Sequence, residues 1–280
     1  MGLGCDYLEL PSITRLQPMA RRHVKSNLPP PFLKRLTFIE ERVKGDEFPF
    51  TVPAFQRGKL QLEFERPITI IVGENGTGKS TLLEGIAGQC GFNLSGGNRN
   101  HLYSSNQNPS PLSHALRLSW MPKITHGFFM RAESFHNFGH YLDEMQKEDP
   151  RTLAAYGGRS LHEQSHGESF LALFTNKFRG QALYVLDEPE AALSLRRQLQ
   201  FLKVIRMLEL EGESQFIIAT HSPVLMAYPR AQLLMFDGRV IREVALSETP
   251  HYQLTREFVM NPKAMMDKLF AEVEAELRAE

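Results

Sequence analysis

Eight residues constrain this chain more than any others: Gly73, Glu74, Asn75, Gly76, Thr77, Gly78, Lys79 and Ser80, in the pattern GxxxxGK[ST]. They stand directly between an apolar run, Ile68–Val72 (ITIIV), and a helical run that opens Ser80-Thr81-Leu82-Leu83. Strand, glycine-rich loop and helix in that order are what phosphate binding requires. The glycines let the backbone curl until successive N–H groups converge on phosphate oxygens, and the helix adds the positive end of its dipole. In this geometry Lys79 reaches the β- and γ-phosphates of a nucleotide, and the Ser80 hydroxyl is placed to ligate Mg²⁺. A chain built around such a unit folds as an α/β domain on a mostly parallel sheet. Residues 73–81, through Thr81, are thus the expected ATP-binding segment.

Two further apolar strands end in chemistry. Leu183-Tyr-Val-Leu-Asp187-Glu188-Pro189 puts two carboxylates at a strand's carboxyl end, where ligands of doubly wound sheets bind. Asp187 is expected to complete the Mg²⁺ site with Ser80, and Glu188 to polarise the attacking water as general base. Phe216–Ala219 (FIIA) runs into Thr220-His221-Ser222-Pro223; an imidazole there can sense a γ-phosphate. Upstream, Ser165-His166-Gly167-Glu168 opens a helix with the spacing of a capping box. A helix N-terminus fronted by serine and glycine is also an anion site. Both readings of Ser165, Gly167 and Glu168 use the same geometry.

Bulk properties exclude more than they identify. Lys+Arg and Asp+Glu both total 32, so net charge makes no case for nucleic acid or an anionic membrane, although a local basic patch (Arg21, Arg22, His23, Lys25) leaves DNA open. Cys5 and Cys90 are the only cysteines, too few for a disulfide framework or a metal cluster, and they fit a reducing cytoplasm. No apolar run reaches the roughly 18–20 residues needed to cross a bilayer.

Along the chain, residues 1–31 read as an N-terminal arm and 32–280 as a single domain. Strands are expected at Phe32–Ile39 and Leu60–Phe64, and a hairpin around Asp237–Gly238. Ser95–Pro111 reads as an exposed loop, and about 112–180 as an inserted, mostly helical lobe. The tail, 262–280, is expected to be an amphipathic helix with Met266, Leu269, Phe270, Val273 and Leu277 on one face, docked on its own domain in preference to a partner.

The ordered set GENGTGKS, SHGES, LYVLDEPE, AALS (Ala191–Ser194) and ATHSP resembles the Walker A, signature, Walker B, D-loop and switch-histidine elements of the ABC-type P-loop ATPase superfamily. The resemblance runs from about Phe32 to Val240, and its flavour is closer to stand-alone ATPases related to OLD, RecF and chromosome-maintenance heads than to transporters. It implies a parallel sheet flanked by helices with an antiparallel β subdomain on the N-terminal side. It also implies ATP hydrolysis with Mg²⁺ in a head-to-tail homodimer, each ATP held between Lys79's loop and the partner copy's Ser165, Gly167 and Glu168, with Glu188, His221 and Lys79 catalytic. Such a protein would switch an effector protein in phage defence or DNA repair. His166 and Gln164 replace the usual glycine and leucine of the signature, and no glutamine stands in the Q-loop, leaving Glu133 or Arg131 for that position. Phe50 and Phe55 are candidates to stack on adenine. Two other readings are a nucleotide-gated binding module with incidental hydrolysis and a transporter's nucleotide-binding subunit.

Overall fold

A computed structural model describes residues 27–44, 47–58, 60–94, 96–97, 110–131, 144, 170–171, 174 and 180–279. In chain order the strands are β1 (Leu33–Phe38), β2 (Gln61–Glu63), β3 (Ile68–Val72), β4 (Leu116–Trp120), β5 (Gly127–Arg131), β6 (Ala182–Asp187), β7 (Ser214–Ala219), β8 (Gln232–Phe236) and β9 (Ile241–Glu243). The helices are α1 (Lys79–Cys90), α2 (Pro111–Ala115), α3 (Leu195–Glu211), α4 (Pro223–Met226), α5 (Pro250–Met260) and α6 (Pro262–Ala279), with short 3₁₀ turns between.

The main sheet has the order β5-β6-β7-β3-β8-β9, parallel except for the β8–β9 hairpin. β3 and β6 flank β7, so the residues following all three lie side by side at one sheet edge. These strands read as unbroken apolar runs because they are covered on both faces. The pleat divides them: Ile68, Ile70, Val72, Tyr184, Leu186, Phe216 and Ile218 meet Phe201, Val204, Ile205 and Leu208 of α3. Ile71, Leu183, Val185, Ile217 and Ala219 face Leu82, Leu83 and Ile86 of α1. Each Val, Leu, Ile or Phe side chain among them contributes about 1.5–3 kcal/mol by leaving water.

The second sheet, β2-β1-β4, is antiparallel and packs into the α1-side core. Two buried glutamines fasten it to the main sheet. Gln215 of β7 accepts from the N–H groups of Phe32 and Leu33, both at 2.8 Å, and donates to the Leu33 carbonyl at 3.0 Å. Gln232 of β8 accepts from Glu65 N–H at 3.0 Å and donates to the Glu63 carbonyl at 3.1 Å. The expected N-terminal antiparallel subdomain is therefore present.

Two expectations change. Within the span read as a helical lobe, residues 116–120 and 127–131 are strands, one in each sheet; the aromatic run Phe128-Phe129 is a short buried strand rather than a helix face. Most of the remaining span lies outside the described residues; within it the described Glu144, Phe170, Leu171 and Phe174 are helical. The tail does form a helix, but Leu269, Phe270, Val273 and Leu277 are all exposed, Phe270 at 58%. Its apolar stripe is not docked on the domain. α5 likewise leaves Leu254, Phe258, Val259 and Met260 exposed. No described helix is long and apolar enough to cross a membrane.

Candidate functional site

The phosphate loop is shaped by its glycines where the sequence places them. Gly76 and Gly78 take φ values of 78° and 103°, in the left-handed region that L-residues avoid. Gly73 must be glycine for a second reason: a β-carbon there would lie 2.2 Å from the Phe236 carbonyl oxygen of the adjacent β8. Behind the loop, a β-carbon on Gly78 would press on Val52 and on the Phe55 ring at 3.1–3.2 Å. Phe55 and Phe50 are thereby accounted for. Both are buried, in ring contact with Phe38 and, for Phe55, with Phe236, so neither can stack on an adenine. They support the loop from the core side.

Lys79 is almost fully buried, its ammonium held by the carbonyls of Gly73 at 2.7 Å and Glu74 at 2.9 Å. Burial pulls its pKa down, against the pull of Glu188, Asp187, Glu74 and Glu190. A desolvated cation bonded only to carbonyls is suited to an anion. Ser80, one residue on in the first turn of α1, donates to Asp187 Oδ1 at 3.1 Å. Asp187 ends β6, and burial pushes its carboxyl up to about 6, while Arg131 and Ser80 draw it down. Arg131 Nε lies 3.2 Å from Asp187 Oδ2 and its guanidinium also pairs with Glu84. The hydroxyl–carboxylate pair Ser80 and Asp187 is a hard oxygen donor set suited to Mg²⁺, and the loop's converging N–H groups suit phosphate.

Glu188 has φ 49° and ψ 52°, the one non-glycine residue at positive φ among those described. Its N–H still bonds the Ala219 carbonyl at 2.9 Å, prolonging the β6–β7 ladder by one step. That combination turns the side chain out of the strand toward His221, whose Nε2 is 3.4 Å from Glu188 Oε1. Left-handed backbone at a non-glycine residue stores about 1–3 kcal/mol. His221 follows β7, and its N–H is held by Glu190 Oε1 at 2.6 Å. Burial, then Lys79, lowers its pKa, keeping the imidazole neutral near pH 7.

Loop, the Ser80–Asp187 pair, Glu188 and His221 thus converge on one edge of the parallel sheet. Thr81 lies in the first turn of α1, while Glu74 and Asn75 are exposed at the loop crest. Ser165, Gly167 and Glu168, with His166, Gln164 and Glu133, lie outside the described residues. Arg131, the alternative Q-loop residue, is at the site but engaged by acidic groups. Sequence reasoning missed Glu84 and Glu190, and also His251 at the start of α5, whose Nε2 is 2.9 Å from His221 Nδ1. No local spacing connects residues 221 and 251.

Fold and site together define a P-loop nucleotide-binding domain. Two family models match the chain: residues 52–115 fit a family described as "AAA domain", and residues 151–227 one described as "AAA domain, putative AbiEii toxin, Type IV TA system". Among curated proteins, a "Putative ABC transporter ATP-binding protein" of Clostridium tetani is 22% identical over 227 residues, 71% of this chain and 51% of that one. The hemin import ATP-binding protein HmuV of Hahella chejuensis is 27% identical over 194 residues, 64% of this chain and 76% of that one. The chain spans about half the length of the Clostridium relative. Among solved structures, the SMC head domain from Thermotoga maritima aligns with a TM-score of 0.43 at 18% identity, covering 76% of this chain and 99% of that one. In these matched stretches the chain is similar to AAA-type and ABC-type P-loop ATPases.

Proposed function

We propose that this chain hydrolyses ATP with Mg²⁺ in a composite site shared by two copies. The observation that carries the reading is the convergence of Ser80, Asp187, Glu188 and His221 around one phosphate loop. Residues 73–81 bind the triphosphate, with Lys79 leaving its loop carbonyls for phosphate oxygens. Ser80 and Asp187 hold the metal, which neutralises phosphate charge when bound. Glu188 accepts a proton from the attacking water, and His221 donates from Nε2 to the γ-phosphate as negative charge develops. The second copy supplies Ser165, Gly167 and Glu168.

Lys79→Ala and Ser165→Arg variants test this together. Each alone is expected to be inactive; mixed, they are expected to form pairs with one intact composite site and to regain phosphate release. Inactivity of the mixture would overturn the shared site.

The exposed apolar stripe on α5 and α6 favours a second reading, in which ATP gates a contact with an effector protein and hydrolysis resets it, as a phage-defence or repair switch in the cytoplasm would require. Light scattering of Glu188→Gln with and without ATP tests the gating step; a monomer in both conditions rules it out.

A further inference from the structure

The contact between His221 and His251 has a direction that the surrounding charges decide. Two imidazole nitrogens 2.9 Å apart, His221 Nδ1 and His251 Nε2, share one proton. If His221 held it on Nδ1, its neutral ring would turn the Nε2 lone pair toward the Glu188 carboxylate 3.4 Å away. Lone pair would then face anion. The reverse arrangement places an N–H at both points. His251 Nε2 donates to His221 Nδ1, His221 carries its proton on Nε2, and that N–H, with no hydrogen-bond partner among the described residues, lies beside the Glu188 carboxylate. A second carboxylate agrees: Glu74 Oε1 lies 4.0 Å from the same His251 Nε2, which again favours a proton there. The lowered pKa of His221 is consistent with a single ring proton.

We propose that His251 is a positioning residue for hydrolysis. It fixes His221 in the Nε2–H tautomer, so that a donor, and not a lone pair, meets the γ-phosphate. The inference rests on the hydrolytic role given to His221 above. It adds that the site needs a residue thirty positions downstream, in the first turn of α5. The ring of His251 packs on that of His221 with centroids 4.9 Å apart, so one contact sets both tautomer and orientation.

The test uses the full chain with His251 changed to Phe, Asn or Gln. Gln carries an amide N–H to about the reach of Nε2; Asn falls short and Phe has no donor. Outer-shell partners that orient a functional histidine typically contribute about 10–100-fold. His251→Phe and His251→Asn are expected to lose roughly 10-fold or more in kcat with KM for ATP held within about twofold, and His251→Gln to recover most of that loss. In ¹⁵N spectra of labelled imidazoles, His221 is expected as the Nε2–H form in wild type and as a mixture in His251→Asn. Equal kcat in Gln and Asn variants, or an Nδ1–H signal for wild-type His221, would overturn the proposal. His221→Gln separates the two readings: if it leaves kcat intact, the role of His221 fails, whereas the tautomer is still read directly by NMR. A His251→Phe/His221→Gln double variant is expected to be no slower than His221→Gln alone.

Discussion

Asp187 lies in a position that favours chemistry over stability, and Asp187→Asn tests that. The carboxyl is buried and pushed from 3.8 up to about 6, burial outweighing Arg131 and Ser80. A folded-state pKa above the unfolded one means that the native protein keeps a proton the unfolded chain has lost. Stability therefore falls as pH rises from about 4 to 6, and the deficit stays in place above. At about 1.4 kcal/mol per pH unit the full deficit is about 3 kcal/mol at neutral pH. Roughly half has accumulated by pH 5, leaving about 1.3 kcal/mol to appear between pH 5 and pH 7. Asparagine keeps an acceptor for Ser80 and removes the charge, and Arg131 retains Glu84. Urea unfolding of chelator-treated protein is expected to find Asp187→Asn more stable than wild type at pH 7, by about 1–3 kcal/mol, with a smaller advantage at pH 5. With MgATP the order is expected to reverse, because wild type, with both members of the Ser80–Asp187 pair, gains more binding energy. A variant less stable than wild type in chelator, or a difference independent of pH, would refute the argument.

Glu188→Gly relieves a left-handed backbone and is expected to raise stability by about 1 kcal/mol while abolishing phosphate release; thermal melting beside the activity assay checks both. Gly73→Ala drives a β-carbon to 2.2 Å from the Phe236 carbonyl oxygen, so loss of ATP binding in a fluorescent-nucleotide titration is expected together with a lower melting temperature. Gln215→Leu strips three hydrogen bonds from the junction of the two sheets and is expected to cost about 2–4 kcal/mol in denaturant unfolding.

What could be read from sequence was whatever is local along the chain. GENGTGKS, LDE and THS each follow an apolar strand within a few residues, so strand, turn and functional side chain are covalently adjacent, and parallel pairing then brings their ends together. Residues 127–131 differ from the expected helical lobe because a buried strand as short as Gly127–Arg131 has no alternation to separate it from a helix face. Phe50 and Phe55 looked available for a base because aromatic residues before a phosphate loop give no sign of which way they face; the core claims both. His251 was invisible for another reason: its partner is brought to it only when α5 folds back across the edge of the sheet. The same limit applies to Glu190, whose hydrogen bond to His221 N–H crosses between the β6 and β7 loops, and to Arg131 opposite Asp187. The tail's apolar stripe is exposed where docking is expected, because amphipathicity states that a face wants cover, without stating whose.

In the proposed mechanism Glu188 activates water at a site built by β3, β6 and β7. Steady-state phosphate release by wild type and Glu188→Gln, at ATP and Mg²⁺ concentrations that saturate both, tests it most directly. Mg²⁺-dependent turnover is expected in wild type and a fall of roughly 100-fold or more in the variant, with ATP affinity retained. Equal rates in the two proteins would contradict it.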